Sequence, residues 1–350
     1  MNAIRFGIIG FGWRTEAYLR IASQLPHLFK AVGVVVRDQA KYEEAAAEWG
    51  LKLYQSPEEL AEHCDFLLTA VSKTSTPSLL KQLASIGKPI MAETPPAADE
   101  EGIKIISALI SEGAPIQIAE QYPLQPYHAA RTALISSGAI GEVSHVQVSA
   151  GHGYHGVSLI RHWLSLPHSS SCEIVARRFK FPIQEVPHRG RAVQGNLETD
   201  QQDIAILTFQ DGKSAVLDFA GSQYFSPLRH NRVLIRGSHG EIRDNEVTRS
   251  LGAVDYETIT ISRQQDGLEG SLAPLSLREL RAGSECLFRN PYYPASLSDE
   301  EIAIAEALSR MTTYVREGVS FYSLSEALID VKLAMAIDEA IATGESVKVI

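Results

Sequence analysis

Cysteine is scarce. Cys64, Cys172 and Cys286 are odd in number and far apart, which excludes a disulfide framework or a cysteine-rich zinc cluster and leaves buried, reduced thiols as the expectation. Positive charge is in deficit too: 32 Lys and Arg stand against 42 Asp and Glu, a formal net charge of -10. Nucleic acid and anionic membrane are thereby excluded as main partners, because both repel such a surface. No apolar run approaches the ~20 residues of a membrane helix, and Met1 to Gly10 lacks a charged n-region and a cleavage site. A cytoplasmic protein whose partners are small molecules is expected. Internal repeats and low-complexity tracts are absent as well. The 45% hydrophobic and 21% charged content is that of a globular chain, and 350 residues are long for one core, which suggests two domains.

What is present begins at once. The apolar run Ala3 to Ile9 leads into Gly10-Phe11-Gly12-Trp13-Arg14-Thr15 and then a helical pattern. A tight strand-to-helix turn needs Gly10, Gly12 has no Cβ to obstruct a pyrophosphate, and the helix N-terminus offers unpaired N–H groups to the anion. Thr15 stands where the fingerprint has its third glycine. From there to about Glu120, apolar runs of strand length (Ala31 to Val36, Phe66 to Val71, Pro89 to Ala92, Ile116 to Ala119) alternate with helical patterns (Glu16 to Gln24, Lys41 to Trp49, Ser56 to Glu62, Pro77 to Ser85, Asp99 to Glu112). Such alternation predicts a parallel, doubly wound sheet that binds ligands beyond the carboxyl ends of its strands. The α/β reading thus places a Rossmann-type dinucleotide-binding domain at 1–122.

After Gly141 the pattern changes. Glu142 to Ala150, Ile204 to Phe209, Ser214 to Ala220, Asn231 to Arg236 and Thr258 to Ser262 have strand character, and Gln210-Asp211-Gly212-Lys213 is a hairpin signal. Long helices follow at Ser298 to Glu317 and Ser325 to Thr343, the second stopping at Gly344. Gln264 to Leu272 and Arg281 to Ser296 are loop-like. A second α/β domain with an open, mainly antiparallel sheet is expected over 123–350, serving substrate and oligomerisation, its final helix packing back towards the first domain.

An NAD site places an acid about twenty residues past the glycine turn, where it accepts hydrogen bonds from the adenine ribose. Here Arg37 follows Val36. A guanidinium there clamps a 2′-phosphate, which favours NADP over NAD; a plain surface arginine, with Asp38 reaching the ribose, is the alternative.

Several segments, in order, resemble the Gfo/Idh/MocA oxidoreductases of sugars and cyclic polyols: Gly7-Ile-Ile-Gly-Phe-Gly12, Gly87-Lys-Pro-Ile-Met-Ala-Glu93-Thr-Pro95, Ser137-Gly-Ala-Ile-Gly-Glu-Val143, Gly153-Tyr-His155 and Ser325-Glu-Ala-Leu328 with its helix. The resemblance implies hydride transfer between a nicotinamide and a sugar carbon, and dimerisation or tetramerisation through the C-terminal sheet. It also implies that Ser72 and its loop run along the nicotinamide ribose, and that Glu93, Thr94, Pro95 and Gln121 line the nicotinamide end.

Two departures matter. Thr94 replaces the family's lysine, which donates to or stabilises a developing alkoxide, and Gly151 replaces an aspartate four residues before the retained histidine. His155 is the expected acid/base, since imidazole exchanges a proton near neutral pH; Tyr154 and His152 are expected to assist, and Lys73 to supply the missing cation. The bland alternatives are a histidine packed at a helix start and a surface lysine. His162, seven residues beyond His155, has no third ligand nearby and is not expected to hold a metal. Arg161 is expected in solvent, with a place facing the substrate as the alternative. A sugar or polyol oxidoreductase is therefore the first reading. A dinucleotide-binding homologue without dehydrogenase activity, and a cofactor-retaining lyase or glycosidase, are the competing ones. Loops at Arg189 to Glu198 and Arg281 to Tyr293 carry no decisive substrate signature.

Overall fold

The apolar segment Ile4–Ile9 (β1) is buried at five of its six positions and pairs in parallel with both Phe29–Val35 (β2) and Phe66–Thr69 (β4). In the computed structural model, which describes residues 2–185 and 193–349, it lies at the centre of a six-stranded sheet. Lys52–Leu53 (β3), Ile90–Ala92 (β5) and Ile116–Ile118 (β6) complete the order β3-β2-β1-β4-β5-β6. Helices Trp13–Gln24 (α1), Gln39–Glu48 (α2), Pro57–Ala61 (α3), Thr76–Ala84 (α4) and Glu100–Ser111 (α5) alternate with these strands. Their starts are written in the sequence: Asp38, Ser56 and Asp99 accept hydrogen bonds from the amides of Lys41, Glu59 and Gly102, each cap contributing about 1 kcal/mol. α1, with Gly12 at its N-cap, and α4, with Ser75, have no side-chain cap.

The chain divides into two compact units, the first formed by 1–126, 263–279 and 289–331. Late segments therefore complete the early sheet. Asp299–Glu317 (α8 in chain order) opens with a capping box between Ser298 and Glu301 and docks on α1, where Arg20 pairs with Glu301 at 2.9 Å. At the sheet edge the Gln117 side-chain oxygen accepts from the amides of Phe321 (2.9 Å) and Tyr322 (3.1 Å), while Ile118 N donates to Tyr322 O. The exposed flank of β6 is thus covered, as edge strands require.

The second unit holds 127–262, 280–288 and 332–350. Pro126–Ser136 (α6) and Gly153–Leu164 (α7) accompany a mixed sheet. Its strands are Val143–Ser149 (β7), Cys172–Gln184 (β8), Leu197–Phe209 (β9), Ser214–Ala220 (β10), Arg232–Gly237 (β11), Gly240–Arg243 (β12), Glu246–Ser250 (β13), Tyr256–Asp266 (β14), Ser276–Ala282 (β15), Glu285–Arg289 (β16) and Val347–Val349 (β17). They hydrogen-bond in the order β16-β15-β14-β13-β12-β11-β7-β10-β9-β8-β17. β10 runs parallel to β7, whereas the β8–β9, β9–β10, β7–β11 and β11–β12 pairs are antiparallel. One face, with Val146, Val148, Leu207 and Leu217, is buried, and α7 packs on β7 and β10; a Cβ on Gly156 of α7 would collide with Leu217. Across the sheet Val175, Phe179 and Ile206 are exposed.

The predicted hairpin joins β9 to β10, and Leu324–Thr343 (α9) ends at Gly344 in the left-handed region as expected. Several expectations need correction. Gln264 to Asp266 belong to β14, and Arg281 to Ser296 is not a loop throughout, since it contains the end of β15 and all of β16. Cys64 and Cys172 are buried free thiols, the latter pushed up to about 12 mainly by burial, but Cys286 is exposed. Of the Arg189 to Glu198 loop, residues up to 192 lie outside the described residues.

Candidate dinucleotide site and histidine cluster

Strand β1 ends in a turn that only glycine can make. Gly10 has φ +99°, its N–H donates to Val35 O at 2.9 Å, and a Cβ would run into the Ala70 carbonyl oxygen. Gly12 differs: its backbone is extended and nothing lies within 4 Å of an added Cβ, so its contribution is open space beside the start of α1. The first N–H groups of a helix lack intrahelical acceptors and favour an anion. Thr15, where a third glycine was sought, is fully buried and donates from Oγ1 to Gly10 O at 3.2 Å, so the hydroxyl is satisfied and ties the helix to the turn.

Beside this turn lies a cavity of about 600 Å³ bounded by Gly10, Val35, Arg37, Gln55 and Thr74. A neighbouring hollow of about 450 Å³ shares Gly10 and Arg37 and adds Asp38, Lys41 and Ser72. Arg37 is exposed and has no hydrogen bond or ion pair among the described residues, whereas one oxygen of Asp38 is occupied in capping α2. Ser72 Oγ meets Ser75 Oγ (3.0 Å) and Thr74 Oγ1 (3.2 Å), which makes the β4–α4 loop a cluster of hydroxyls. Lys73 stands exposed beside it with no polar partner among the described residues. The glycine cradle, the uncapped helix start and the cavity at the strand ends together fit a dinucleotide.

Beyond β5 and β6 the polar groups interlock. Tyr18 Oη donates to Glu93 Oε1, Arg14 Nε lies 3.4 Å from Glu93 Oε2, and Arg14 Nη1 lies 3.1 Å from Glu300 Oε1. The Gln121 amide is satisfied when its nitrogen donates to Ala119 O (2.8 Å) and its oxygen accepts from Arg14 Nη2 (3.1 Å). The Arg14 guanidinium also lies 4.3 Å from the ring centroid of Trp13, itself half-exposed. Burial opposes the charge of Arg14, but Glu93, then Tyr18 and Glu300, outweigh it and raise its pKa. Burial, reinforced by Glu93, holds the Tyr18 phenol far above its ordinary range. Thr94 and Pro95 follow at the same strand end, joined by a cis peptide. Glu120 is buried and accepts from Tyr122 N at 3.2 Å.

All the residues expected at the cofactor therefore gather at the carboxyl edge of the first unit's sheet: Gly10, Gly12, Trp13, Arg14, Arg37, Ser72, Glu93, Thr94, Pro95 and Gln121. Tyr18 and Glu300 were not foreseen. Tyr18 lies one helical turn beyond Arg14, a spacing that could have flagged it; Glu300, 286 residues away, gives no local signal.

In the second unit, His152 caps α7 and its N–H donates to Tyr224 Oη at 3.1 Å. The rings of His152 and His155 lie 4.9 Å apart, those of His155 and Tyr154 5.4 Å, and those of His152 and Tyr224 6.0 Å. His155 and Tyr154 are buried. His162 Nε2 instead meets Thr132 Oγ1 at 3.1 Å, and no metal-holding group of three or more His, Cys, Asp or Glu occurs among the described residues. Arg161, expected in solvent, is buried, because α7 is buried at ten of its twelve positions.

Residues 4–118 match the model of the Gfo/Idh/MocA family, described as an oxidoreductase family with an NAD-binding Rossmann fold. That N-terminal segment matches the family, and the resemblance read from the sequence is borne out there. Solved structures share the fold over the whole chain. An oxidoreductase from Agrobacterium radiobacter, in complex with NAD+, L-tartaric acid and magnesium, is 17% identical over 99% of this chain and 98% of that one, with a TM-score of 0.70. A myo-inositol dehydrogenase from Corynebacterium glutamicum is 17% identical over 99% of both chains (TM-score 0.68). A scyllo-inositol dehydrogenase from Lactobacillus casei, with bound NAD(H) and scyllo-inositol, is 16% identical over 99% of both (TM-score 0.66). Comparison with curated protein sequences finds no match.

Proposed function

We propose that this chain is an NAD(P)-dependent oxidoreductase of a sugar, polyol or related hydroxy or keto compound, with His155 as its acid/base. The observation that carries the reading is the glycine cradle at Gly10 and Gly12, opening on a cavity at the strand ends. When bound, the nicotinamide accepts or returns a hydride. Gly12 and the start of α1 take the pyrophosphate, the Ser72 loop takes ribose hydroxyls, and Glu93, Thr94, Pro95 and Gln121 wall the nicotinamide half. His155 takes the proton from the substrate hydroxyl in oxidation and returns it in reduction, Tyr154 and His152 fix the plane of its ring, and Lys73 is the candidate for the missing cation. Assaying the purified protein against a panel of sugars and polyols with NAD and NADP should give reproducible cofactor reduction. Tight cofactor binding without turnover on any of them favours instead a binding homologue, the reading that Thr94 and Gly151 support; substrate cleavage without net cofactor change points to a lyase or glycosidase.

NADP is the preferred cofactor in this reading, since Arg37 borders both hollows without a polar partner among the described residues. Arg37→Ala should weaken NADPH binding by about 10- to 100-fold, the worth of one charge-assisted pair, and leave NADH within twofold. Wild-type protein that binds NADH clearly more tightly overturns the preference.

The chain is further proposed to form a homodimer or homotetramer through the uncovered sheet face, where Val175 and Ile206 pair across β8 and β9 and are both exposed. Ile206→Asp should shift the mass measured by light scattering to that of the monomer; an unchanged mass places the interface elsewhere. Among the described residues no helix is long and apolar enough to cross a membrane, and three free cysteines accord with a reducing, cytoplasmic setting.

A further inference from the structure

Arg14 is an unusual arginine for its place on the chain. Arg20, on the same helix and also ion-paired, keeps 63% of its side chain in solvent; Arg14 keeps 13%. A guanidinium is withdrawn from water to that extent when several acceptors meet its fork. Here each nitrogen has its own: Nε faces Glu93, Nη1 faces Glu300 and Nη2 faces the Gln121 oxygen. Two of these acceptors follow β5 and β6. In a sheet ordered β3-β2-β1-β4-β5-β6 a dinucleotide lies across the switch between β1 and β4, its adenosine half over β1 to β3 and its nicotinamide half over β4 to β6. Arg14 itself belongs to the first turn of α1, where the pyrophosphate is received. One side chain therefore spans from the pyrophosphate turn to both strand ends that wall the nicotinamide.

We propose that Arg14 is the positioning residue of the nicotinamide half: it fixes the Glu93-Thr94-Pro95 turn and Gln121 in register with the pyrophosphate turn, and so sets the pocket into which the nicotinamide ring fits. This rests on the dinucleotide reading above. Tyr18 supports the same wall from within the core by donating to the other oxygen of Glu93. The arrangement makes the role geometric rather than one of charge alone, because an ammonium has no planar fork to meet three separated acceptors.

The test compares two ligands that differ only at the nicotinamide. Calorimetric titration of the full chain with NADH or NADPH, whichever the wild type binds more tightly, is set against ADP-ribose or its 2′-phosphate to match. In Arg14→Met the reduced cofactor should bind at least tenfold more weakly while the nicotinamide-free fragment stays within threefold. The retained fragment affinity also shows that the unit has folded. Should the methionine variant not fold, Arg14→Lys carries the test and is expected to lose cofactor affinity in the same direction. Equal losses for both ligands, no loss for either, or full rescue by lysine overturns the proposal while leaving the dinucleotide reading standing. A wild-type protein that binds neither ligand overturns both.

Discussion

His155→Ala should lower turnover by about 10²- to 10⁴-fold, the range over which a positioned acid/base contributes, with cofactor affinity within twofold of wild type. The two halves of that expectation have separate causes. Residues assigned to the cofactor all belong to the first unit, whereas His155 sits in the second, in the first turn of α7. In the proposed reading its removal takes away the group that exchanges the substrate proton and leaves the cofactor's own contacts in place. Initial rates followed at the reduced-cofactor absorbance, on whichever sugar or polyol the panel identifies, check the first half and calorimetry the second. Circular dichroism guards against a trivial loss, since a buried ring packed on His152 and Tyr154 also contributes to the fold. Turnover at the wild-type level removes the assignment of His155.

The second large effect separates two glycines that look alike in sequence. Gly10→Ala should destabilise the protein by about 2–5 kcal/mol, combining a left-handed backbone with overpacking. The new methyl would meet the Ala70 carbonyl where β1 and β4 are hydrogen-bonded, Ala70 N donating to Ile9 O at 2.8 Å. Gly12→Ala should leave stability within about 0.5 kcal/mol, the ordinary range for a surface change, because its backbone is extended and its surroundings are open. Its cost falls on the ligand: the methyl occupies the space beside the helix start, and NADH or NADPH affinity should drop tenfold or more. Urea unfolding and cofactor titration of both variants distinguish these outcomes. Undiminished cofactor binding by Gly12→Ala would remove the turn from the binding site.

Much of the first sheet was legible because its signals are local. β4, Phe66–Thr69, is buried at every position and therefore reads as one apolar run, and Ser56 and Asp99 announce α3 and α5 by capping them. The second sheet was less legible. β8 alternates buried and exposed positions only through Ala176, after which Arg177, Arg178, Lys180 and their neighbours stand mostly in solvent, so composition gives no period to read. α6 gives little signal because it mixes small and polar residues. The gathering of the candidate cofactor residues could be anticipated from the glycine turn and the strand ends, since topology sends every such loop to one edge. The partners of Arg14 could not all be, because Glu300 arrives from a helix far along the chain, and only folding brings that helix onto α1.

The return of residues 289–331 to the first unit has a consequence in time. A ribosome delivers the glycine turn within the first few residues but Glu300 and Glu301 near the end, after almost all of the second unit has been made. The early sheet must meanwhile stand with Arg14 lacking Glu300, Arg20 lacking Glu301 and the β6 edge still awaiting the backbone of Phe321 and Tyr322. Nascent domains ordinarily fold as units as they emerge. Here the first unit, whose sheet strands come early, cannot be completed until residues 289–331 have been made, and an amino-terminal fragment ending near residue 126 lacks the segments that close it.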